Sequence, residues 1–507
     1  MWKIRITLAL AVAALVPAAV GSQSTLNQDA VTRIRTEGMT RSEAPALFAE
    51  LVDGIGPRLT GSLEYKRAAD WARGTLDAWG LDNARLEPFP FGRGWQLEYF
   101  AIEMIEPRYM PLTGHPEAWT PSTPGDVIAT PVLTAGRTAA DIGALAGRIK
   151  GGIVMPQPKV ADSAFIRRDR AQPADQPDPP APQAGAETTG GRQGAGRQGR
   201  TGGRGGGVVD LSGAQTAQTA AAALRDAAPA VTLLPSRGEH GTLFVQAGRP
   251  TSPQTSTRVV LIPEHYNMLA RMIERGIAVK VRVNVNARAL DDPNSYNVLA
   301  ELPGSDPSLR DEVVMLGAHL DSWHAAPGAT DNADGVAAAM EAFRILKATG
   351  LTPLRTLRLA LWGGEEQGLL GSRAWVAQHL AGDANAAARD KLFVYFNIDP
   401  GKGPIYGWYL ENKDALRPVF DAWLQPFMDL GAKRNVRQGI RNTDHLSFIN
   451  VGVPGFNPVQ DYTGYDVREH HTNADTFERI KDADLRQAAV ILASFLYHAG
   501  HYQGTLR

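Results

Sequence analysis

The sequence contains no cysteine. This absence excludes disulfide bonds, zinc sites built from thiolates and catalysis by a cysteine nucleophile. Any metal ion that the chain binds must be held by histidine, aspartate and glutamate, which build catalytic sites more often than structural ones. In an exported chain, the lack of cysteine also favours a bacterial envelope protein over a disulfide-rich secreted one.

The chain also lacks an excess of one charge. Its 52 Lys and Arg residues are balanced by 53 Asp and Glu residues, which gives a net charge of -1. Such a balance produces no global field that would attract nucleic acid or an anionic membrane. Beyond the N-terminus no segment approaches the ~18 consecutive apolar residues of a transmembrane helix, so we predict no nucleic-acid partner and no stable membrane span in the mature chain.

The N-terminal residues have the pattern of a signal peptide. Lys3 and Arg5 precede an apolar stretch over residues 6–16, and small residues suited to cleavage follow it. This stretch is too short to span a bilayer. We therefore predict a signal peptide over residues 1–22 and a periplasmic or secreted mature protein of the bacterial envelope. The alternative is an uncleaved N-terminal anchor.

The C-terminal half has an alternating pattern of strands and helices. Near-continuous apolar runs predict strands at 312–318, 356–362 and 392–398, and helical spacing predicts helices at about 333–347 and 369–380. Alternation of this kind predicts an α/β fold, in which helices sandwich a mostly parallel mixed sheet. In such sheets, ligands bind beyond the carboxyl ends of the strands.

The middle of the chain has a different composition. From about 110 to 285, short strand-like pieces are separated by Gly and Pro, which predicts an inserted β-rich domain. Within it, residues 173–207 are rich in Gly, Pro and Arg and contain too little apolar surface to order themselves. We therefore expect a disordered loop there. Its arginines among glycines are similar to RNA-binding tails, but the neutral chain favours a solvated insertion.

Acidic and histidine residues follow each of the three predicted strands. They are His319 and Asp321 after the first, Glu365 and Glu366 after the second and Asp399 after the third, with Asp331 at a helix start and His470 and His471 far downstream. Each has an ordinary alternative explanation, such as a helix cap, a turn or a solvated face. Because parallel strands bring their carboxyl ends to one sheet edge, the convergence of these residues predicts a metal site.

These residue types fit a pair of divalent cations. Two such ions ~3.5–4 Å apart need a bridging carboxylate, with imidazoles and further carboxylates as terminal ligands. Nitrogen and oxygen ligands suit zinc, and cobalt or manganese is an alternative. The ions lower the pKa of a shared water towards ~7, and a carboxylate that binds no metal can take its proton.

The same segments resemble the M28 family of zinc aminopeptidases and carboxypeptidases. The chain is most similar to the plasma glutamate carboxypeptidase-like branch, which carries an inserted protease-associated domain. The matching segments are IGPRLTGS, GAHLDSW, GATDNADGVAAAMEAF, LWGGEEQGLLGS, the Asp of FNID, and HHTNADT. The resemblance implies a catalytic domain over residues 35–105 and 290–500 and a protease-associated-like domain over residues 110–285.

The resemblance also implies a role for each ligand-type residue. His319 and Asp399 would bind one zinc ion, Glu366 and His471 the other, and Asp331 would bridge both. Glu365 would be the general base, Asp321 would hydrogen-bond the far nitrogen of His319, and the peptide bond between Asp331 and Asn332 would be cis. His470, Asp475 and His445 are expected to contact the substrate or a metal ligand; for His445 a purely structural role is equally open.

The implied function is that of a di-zinc exopeptidase acting on peptides or dipeptides. Aminopeptidase or dipeptidase is the first reading, and a carboxypeptidase of the plasma glutamate type is the alternative. A carboxypeptidase must bind a free carboxylate, for which Arg434, Arg437 and Arg441 are candidates. A glutaminyl cyclase-like acyltransferase and a non-catalytic receptor-like protein share the fold, but the complete ligand set argues against both. The sequence predicts no oligomeric state.

Overall fold

The computed structural model describes residues 26–161, 169–179, 211–238, 240–246, 248, 251 and 254–507. The predicted signal peptide, residues 1–22, lies outside the described residues, as do residues 180–207 of the predicted disordered loop. Among the described residues, no helix combines the length and apolar character that crossing a membrane requires.

Helices are distributed along the whole described chain. Their bounds are α1 (Gln28–Thr40), α2 (Ala44–Ala49), α3 (Leu63–Ala78), α4 (Ala139–Ala144), α5 (Ala146–Ile149), α6 (Leu211–Asp226), α7 (Pro263–Glu274), α8 (Asp334–Thr349), α9 (Leu370–His379), α10 (Ala386–Lys391), α11 (Arg417–Leu424), α12 (His445–Ile449) and α13 (Asp482–His501).

The strands fall into three sheets. Their bounds are β1 (Asp82–Pro90), β2 (Gly94–Glu106), β3 (Met110–Pro111), β4 (Gly114–Pro116), β5 (Val127–Ala129), β6 (Val132–Leu133), β7 (Ile153–Met155), β8 (Val231–Pro235), β9 (Thr257–Leu261), β10 (Lys280–Leu290), β11 (Asn294–Leu302), β12 (Val313–His319), β13 (Thr356–Trp362), β14 (Leu392–Asn397), β15 (Lys402–Tyr409) and β16 (Gly455–Asp461).

The main sheet has seven strands in the order β1-β11-β13-β12-β14-β16-β15. Its centre is parallel, since β12 pairs in parallel with β13 and β14, and β14 with β16. Its margins are antiparallel, at the pairings β1–β11, β11–β13 and β15–β16. The central strands are apolar along nearly their whole length because helices cover both faces. This confirms the predicted α/β class.

Two apolar cores lie on opposite faces of this sheet. On one face, α8 and α13 pack with α1, α2 and α3, and the fully buried Phe343 of α8 lies in this core. Truncating such a side chain to alanine costs about 3–5 kcal/mol. On the other face, Trp375 of α9 and Phe448 of α12 pack on Trp362 and Tyr395 of the sheet. The sheet edge that carries the candidate ligands is therefore held rigidly from both sides.

The other two sheets form a second unit with its own core. They have the orders β3-β2-β10-β5 and β4-β9-β8-β7-β6, and they enclose a separate apolar cluster. The chain enters this unit along β2 and returns along β10, which pair antiparallel from Gly94–Leu290 to Lys280–Glu106. It leaves the main sheet after β1 and rejoins it at the neighbouring β11. We propose that this unit is the inserted domain; the domain ranges remain a prediction.

The first residues of the predicted disordered segment have defined contacts. Ala174 is buried beside Tyr409 of β15. Asp178 Oδ2 accepts a hydrogen bond from Arg417 Nη2 at 2.7 Å, and its Oδ1 accepts one from Arg434 Nη2 at 3.0 Å. Residues 173–179 therefore pack against the main unit, because one apolar and one acidic side chain find partners there that the local composition does not reveal.

Candidate metal centre

Three neighbouring strands of the main sheet lead into the candidate ligands. His319 is the last residue of β12, Glu365 and Glu366 follow β13, and Asp399 follows β14. Because β12 lies between β13 and β14 and runs parallel to both, the three chain ends meet at one edge. The parallel sheet thus brings together residues that are far apart in sequence, as predicted from the pattern of strands.

Asp331 lies in a turn just before α8, with the non-helical backbone angles φ −136° and ψ 80°. The Asp331–Asn332 peptide bond is cis, as predicted. The backbone N–H groups of Thr330 and Asp331 donate to the two carboxylate oxygens of Asp475 at 2.6 and 3.2 Å. The Asn332 side chain donates to the carbonyl oxygen of Ile398 at 2.8 Å. The turn is thereby tied both to the end of β14 and to the loop that carries His471.

The Asp331 carboxylate lies between two histidines and presents one oxygen to each. Oδ1 is 3.1 Å from His319 Nε2, and Oδ2 is 3.1 Å from His471 Nε2. Asp399 Oδ1 lies 3.7 Å from His319 Nε2, and Glu366 Oε2 lies 2.8 Å from His471 Nε2. The structure therefore brings the predicted ligands together as two pairs that share Asp331.

Several of these atoms have no hydrogen-bond partner. Among the described residues, the buried atoms without one include His319 Nε2, Asp331 Oδ2 and Glu366 Oε1. A buried polar atom without a partner is costly and indicates a ligand or an ion. Ligand atoms of His319, Asp331 and Asp399 lie within 4.8 Å of one another, and so do those of Asp331, His470 and His471. These donors fit two divalent cations that share Asp331.

The electrostatics of the cluster also favour cations. Burial alone lowers the pKa of His319, but the aspartates around its ring raise it well above its usual value. Burial likewise lowers the pKa of His471, whereas Glu366 and Asp331 raise it to about 10. The protein by itself therefore balances its buried carboxylates with protons on the imidazoles. Divalent cations would replace those protons, because metal ligation requires neutral imidazole.

Asp321 contacts the far nitrogen of His319 through its backbone carbonyl oxygen. His319 Nδ1 lies 2.9 Å from the backbone carbonyl oxygen of Asp321 but 3.7 Å from its carboxylate Oδ1. The carbonyl accepts the Nδ1 proton, which leaves Nε2 free to bind metal. The Asp321 carboxylate instead accepts hydrogen bonds from Thr60 Oγ1 at 2.8 Å and from the backbone N–H groups of Glu365 and Glu366 at 3.2 and 3.3 Å. It therefore shapes the turn that presents both glutamates.

Glu365 belongs to neither group of close ligand atoms. Burial raises the pKa of its carboxyl group well above the usual value, and the charge of Asp399 adds to this effect although His319 opposes it. Burial and the nearby Asp331 raise the pKa of Glu366 to about 8. A glutamate with a raised pKa beside a metal site is suited to accept and return a proton near neutral pH.

Two of the three accessory residues lie at the cluster. The His470 ring stacks on His471 with 3.6 Å between ring centroids, and its Nε2 is 3.8 Å from Asp331 Oδ2. Asp475 fixes the Asp331 turn, as described above. His445 belongs to neither ligand group; it is fully buried, with Nε2 3.5 Å from Glu411 Oε1.

A small, partly open cavity lies beside the cluster. Asp331, Glu366, His471 and Asp475 line it together with the indole of Trp323. The ring centroids of Trp323 and His471 are 6.2 Å apart, so the indole forms one wall of the cavity. Sequence reasoning did not single out Trp323: it follows Asp321 within a matching segment, but neither periodicity nor spacing marks its side chain as functional.

Known proteins are similar to this chain in sequence. Residues 297–496 match the family model described as peptidase family M28. Carboxypeptidase Q of Bos taurus is 26% identical over 469 residues, which cover 92% of this chain and 87% of that protein. An aminopeptidase of Pseudomonas aeruginosa is 40% identical over 172 residues, which cover 31% of this chain and 30% of that protein.

Solved structures share the fold. A peptidase M28 precursor from Shewanella amazonensis superposes with a TM-score of 0.67 at 24% identity, and the match covers 96% of this chain and 99% of that one. A zinc aminopeptidase from Bacillus subtilis gives a TM-score of 0.56 at 17% identity over 90% of this chain and 94% of that one. The solved structures show that the chain shares their fold. From the family match over residues 297–496 and from the relatives, we conclude that this chain carries an M28 peptidase region and is a zinc-dependent metallopeptidase.

Proposed function

We propose that the chain is a di-zinc exopeptidase that cleaves the terminal bond of short peptides. His319 and Asp399 would hold one zinc ion, Glu366 and His471 the other, and Asp331 would bridge the two. The observation that carries this proposal is the placement of Asp331, whose two oxygens each lie 3.1 Å from a different imidazole. Cobalt or manganese are the alternative metals for such a donor set.

The proposed chemistry is addition of water to the peptide carbonyl. When bound, the two ions supply a nucleophilic water at neutral pH and polarise the scissile carbonyl. Glu365 accepts a proton from the attacking water as the new C–O bond forms. It then donates that proton to the leaving nitrogen as the C–N bond breaks. The Asp321 carbonyl keeps the His319 proton on Nδ1, and the Asp321 carboxylate holds the turn that carries Glu365.

Dipeptides are the substrates that we propose first, because they offer both a free amine and a free carboxylate. An aminopeptidase or dipeptidase is the primary assignment. The second candidate is a carboxypeptidase, which the similarity to carboxypeptidase Q over 92% of this chain favours. Two of the arginines proposed to bind a carboxylate are already engaged: Arg434 Nη2 contacts Asp178 at 3.0 Å, and Arg437 Nη1 donates to the Pro179 carbonyl at 3.0 Å.

A substrate panel with metal analysis tests these assignments. We expect two zinc ions per chain, hydrolysis of free dipeptides, and loss of activity with chelator that zinc restores. An N-acetylated dipeptide would remain intact with an aminopeptidase, whereas a dipeptide amide would remain intact with a carboxypeptidase. Aminoacyl-nitroanilides would be cleaved only by the former. A chain that binds one zinc ion and cyclises N-terminal glutamine, or that hydrolyses nothing in the panel, would refute the proposal.

We further propose that the chain works outside the cytoplasm, in the periplasm or after secretion. The support is the basic, apolar and small-residue pattern of residues 1–22. Cell fractionation of the full chain and of a variant that lacks these residues tests it. The full chain should accumulate in the periplasm or medium in a shortened form, and the deletion variant should remain in the cytoplasm.

A further inference from the structure

The loop that carries His471 adopts a backbone conformation that needs outside support. We call residues 462–475, between β16 and α13, the ligand loop. His471 has φ +62°, in the left-handed region that residues with side chains rarely adopt. Such a conformation persists where contacts from the surrounding structure fix it. Those contacts come from two parts of the chain inserted between β2 and β10: residues 243–245 of the second unit and residues 169–170.

One set of contacts involves residues 243–245, which we call the clasp. Val245 N–H donates to the His471 carbonyl oxygen at 3.2 Å, on the residue with the left-handed backbone. Asn473 N–H donates to the Leu243 carbonyl oxygen at 3.0 Å, and Leu243 N–H donates back to Asn473 Oδ1 at 2.6 Å. The Phe244 ring packs on the His471 ring, with 5.8 Å between centroids.

The clasp is fixed to the body of the second unit. Leu243 and Val245 are buried in an apolar cluster with Val260 of β9 and the adjoining Ile262. Ser236, just after β8, accepts a hydrogen bond from the backbone N–H of Phe244 at 2.8 Å. The hydrogen bonds to the ligand loop are therefore anchored in a folded sheet.

A second set of contacts holds the start of the ligand loop. Arg170 donates two hydrogen bonds to Asp466, at 2.7 Å from Nε to Oδ2 and 2.6 Å from Nη2 to Oδ1. Its guanidinium lies 4.4 Å from the centroid of the Tyr462 ring. Asp169 Oδ2 accepts a hydrogen bond from Gly464 N–H at 2.8 Å. A bidentate arginine–carboxylate pair, with two parallel hydrogen bonds, fixes the orientation of the two groups as well as the distance between them.

We propose that the chain inserted between β2 and β10 positions His471 for metal binding by holding the ligand loop at these two places, through the clasp of the second unit and through residues 169–170. This inference rests on the proposed function. Arg170 and Phe244 are then positioning residues, which act through His471. The other zinc position depends on His319 and Asp399, which the main sheet places without the second unit. Loosening the ligand loop should therefore weaken one of the two zinc ions and leave the other bound.

The test compares the Arg170→Ala/Phe244→Ala double variant with a matched control, Arg282→Ala. Arg282 forms a similar pair with Glu103 inside the second unit, and the side chains of Arg170 and Arg282 are 41% and 42% exposed. Competition with a chromogenic chelator measures both zinc affinities. We expect the double variant to bind one zinc ion as the wild type does and the other at least 10-fold more weakly, a loss of the size found for residues that support metal ligands. The control should bind both normally.

Hydrogen exchange of the zinc-free protein supplies a readout that does not depend on activity. In the double variant, the amides of Val245, Gly464 and Asn473 should exchange at least ~10-fold faster, while those of β12 remain protected as in the wild type. Circular dichroism checks that the variant folds. If it does not fold, Phe244→Ala alone is compared with Arg282→Ala in both measurements.

Unchanged zinc affinities together with unchanged exchange in the ligand loop would overturn the inference. Failure of the proposed function would look different, because a wild-type chain that hydrolyses no peptide or binds fewer than two zinc ions refutes that proposal first. The exchange rates of the ligand loop would still report whether the second unit holds it.

Discussion

The two sides of the metal cluster are built in different ways. On one side, His319 ends β12 and Asp399 follows β14, the next strand of the same sheet, and both side chains are almost fully buried. On the other side, Glu366 lies in a turn and His471 in the ligand loop, whose backbone the second unit holds. One side is preorganised by the sheet, whereas the other is assembled from loops.

This difference predicts unequal metal binding. Backbone conformation in a parallel strand is set by its hydrogen bonds to both neighbours, so the His319 side needs little further ordering. The left-handed backbone of His471 costs about 1–2 kcal/mol relative to the common conformations, and the contacts of the loop must offset that cost. We therefore expect the sheet side to bind its ion more tightly than the loop side.

The largest loss of activity is expected from a substitution at Asp331, where the two sides of the metal cluster meet. Asp331→Ala removes the oxygens that both imidazoles face. We expect activity on dipeptides to fall at least ~10³-fold, because both ions lose the ligand that fixes them, and zinc content to drop to one ion or fewer. Steady-state kinetics and metal analysis measure this. Two tightly bound ions in this variant would show that Asp331 is no bridge.

The next largest loss of activity is expected from a substitution that leaves both sides of the metal cluster intact. Glu365→Gln keeps the shape of the side chain but removes the proton acceptor. We expect kcat to fall about 10²–10⁴-fold while two zinc ions remain bound with wild-type affinity. A variant that loses zinc along with activity would make Glu365 a ligand and would contradict the assigned role.

On the loop side, the adjacent residues His470 and His471 should differ in how much they contribute to zinc affinity. His471→Ala should weaken one zinc ion more than ~100-fold, because it deletes a ligand, whereas His470→Ala should cost at most ~10-fold, as for a residue that supports one. His319→Ala should weaken the other ion. Chelator competition on the three variants distinguishes them. The reverse order for the two adjacent histidines would assign metal binding to His470.

Low pH should destabilise the folded protein at the boundary between the main unit and the second unit. His324 is buried, and its Nε2 contacts the Pro116 carbonyl oxygen of the second unit at 2.9 Å. Burial, and then the neighbouring His115, lower its pKa to about 3. Below the usual histidine pKa of about 6.5, the unfolded chain takes up a proton that the folded chain does not, so stability falls as pH drops from there towards about 3.

This loss provides a fourth prediction. Between pH 7 and pH 5, His324 should account for a fall of about 2 kcal/mol in the free energy of unfolding. A His324→Gln variant should lack that part of the fall, since glutamine does not titrate. Denaturant unfolding at both pH values compares the variant with the wild type. An equal loss of stability in the two proteins would contradict the prediction.

The smallest change in activity is expected from deletion of the Gly-Arg-rich segment. Deleting residues 180–207 should change dipeptide hydrolysis by less than about twofold, because a sequence rich in Gly, Pro and Arg offers little apolar surface to pack against the metal cluster. Deleting 173–207 also removes Ala174 and Asp178, which pack against the main unit. This longer deletion should lower the free energy of unfolding by about 1–3 kcal/mol, as measured by denaturant unfolding. A large loss of activity with the shorter deletion would give the segment a role in catalysis.

Local patterns predicted the central elements closely. The strands expected at 312–318, 356–362 and 392–398 correspond to β12, β13 and β14, and the helix expected near 333–347 corresponds to α8. Buried parallel strands give continuous apolar runs, and a helix packed on a sheet gives a 3.6-residue period, so both can be read from sequence.

The second unit was predicted less well. The sequence predicts a β-rich domain of short strand-like pieces there, but the unit also contains the helices α4, α5 and α6, which that pattern did not indicate. Short apolar pieces between glycines fit either a strand or a helical turn, and packing in the folded unit decides between them.

The sequence by itself determined the fold class, the strand ends that meet at one edge and the kinds of ligand available there, because these follow from local periodicity and from the geometry of a parallel sheet. Only the tertiary structure decided that the carbonyl of Asp321, not its carboxylate, orients His319, that His470 lies close to Asp331, and that residues 243–245 hold His471. Contacts between loops join segments that are distant in the chain and have no periodic signature, so they become visible only when both units are folded together.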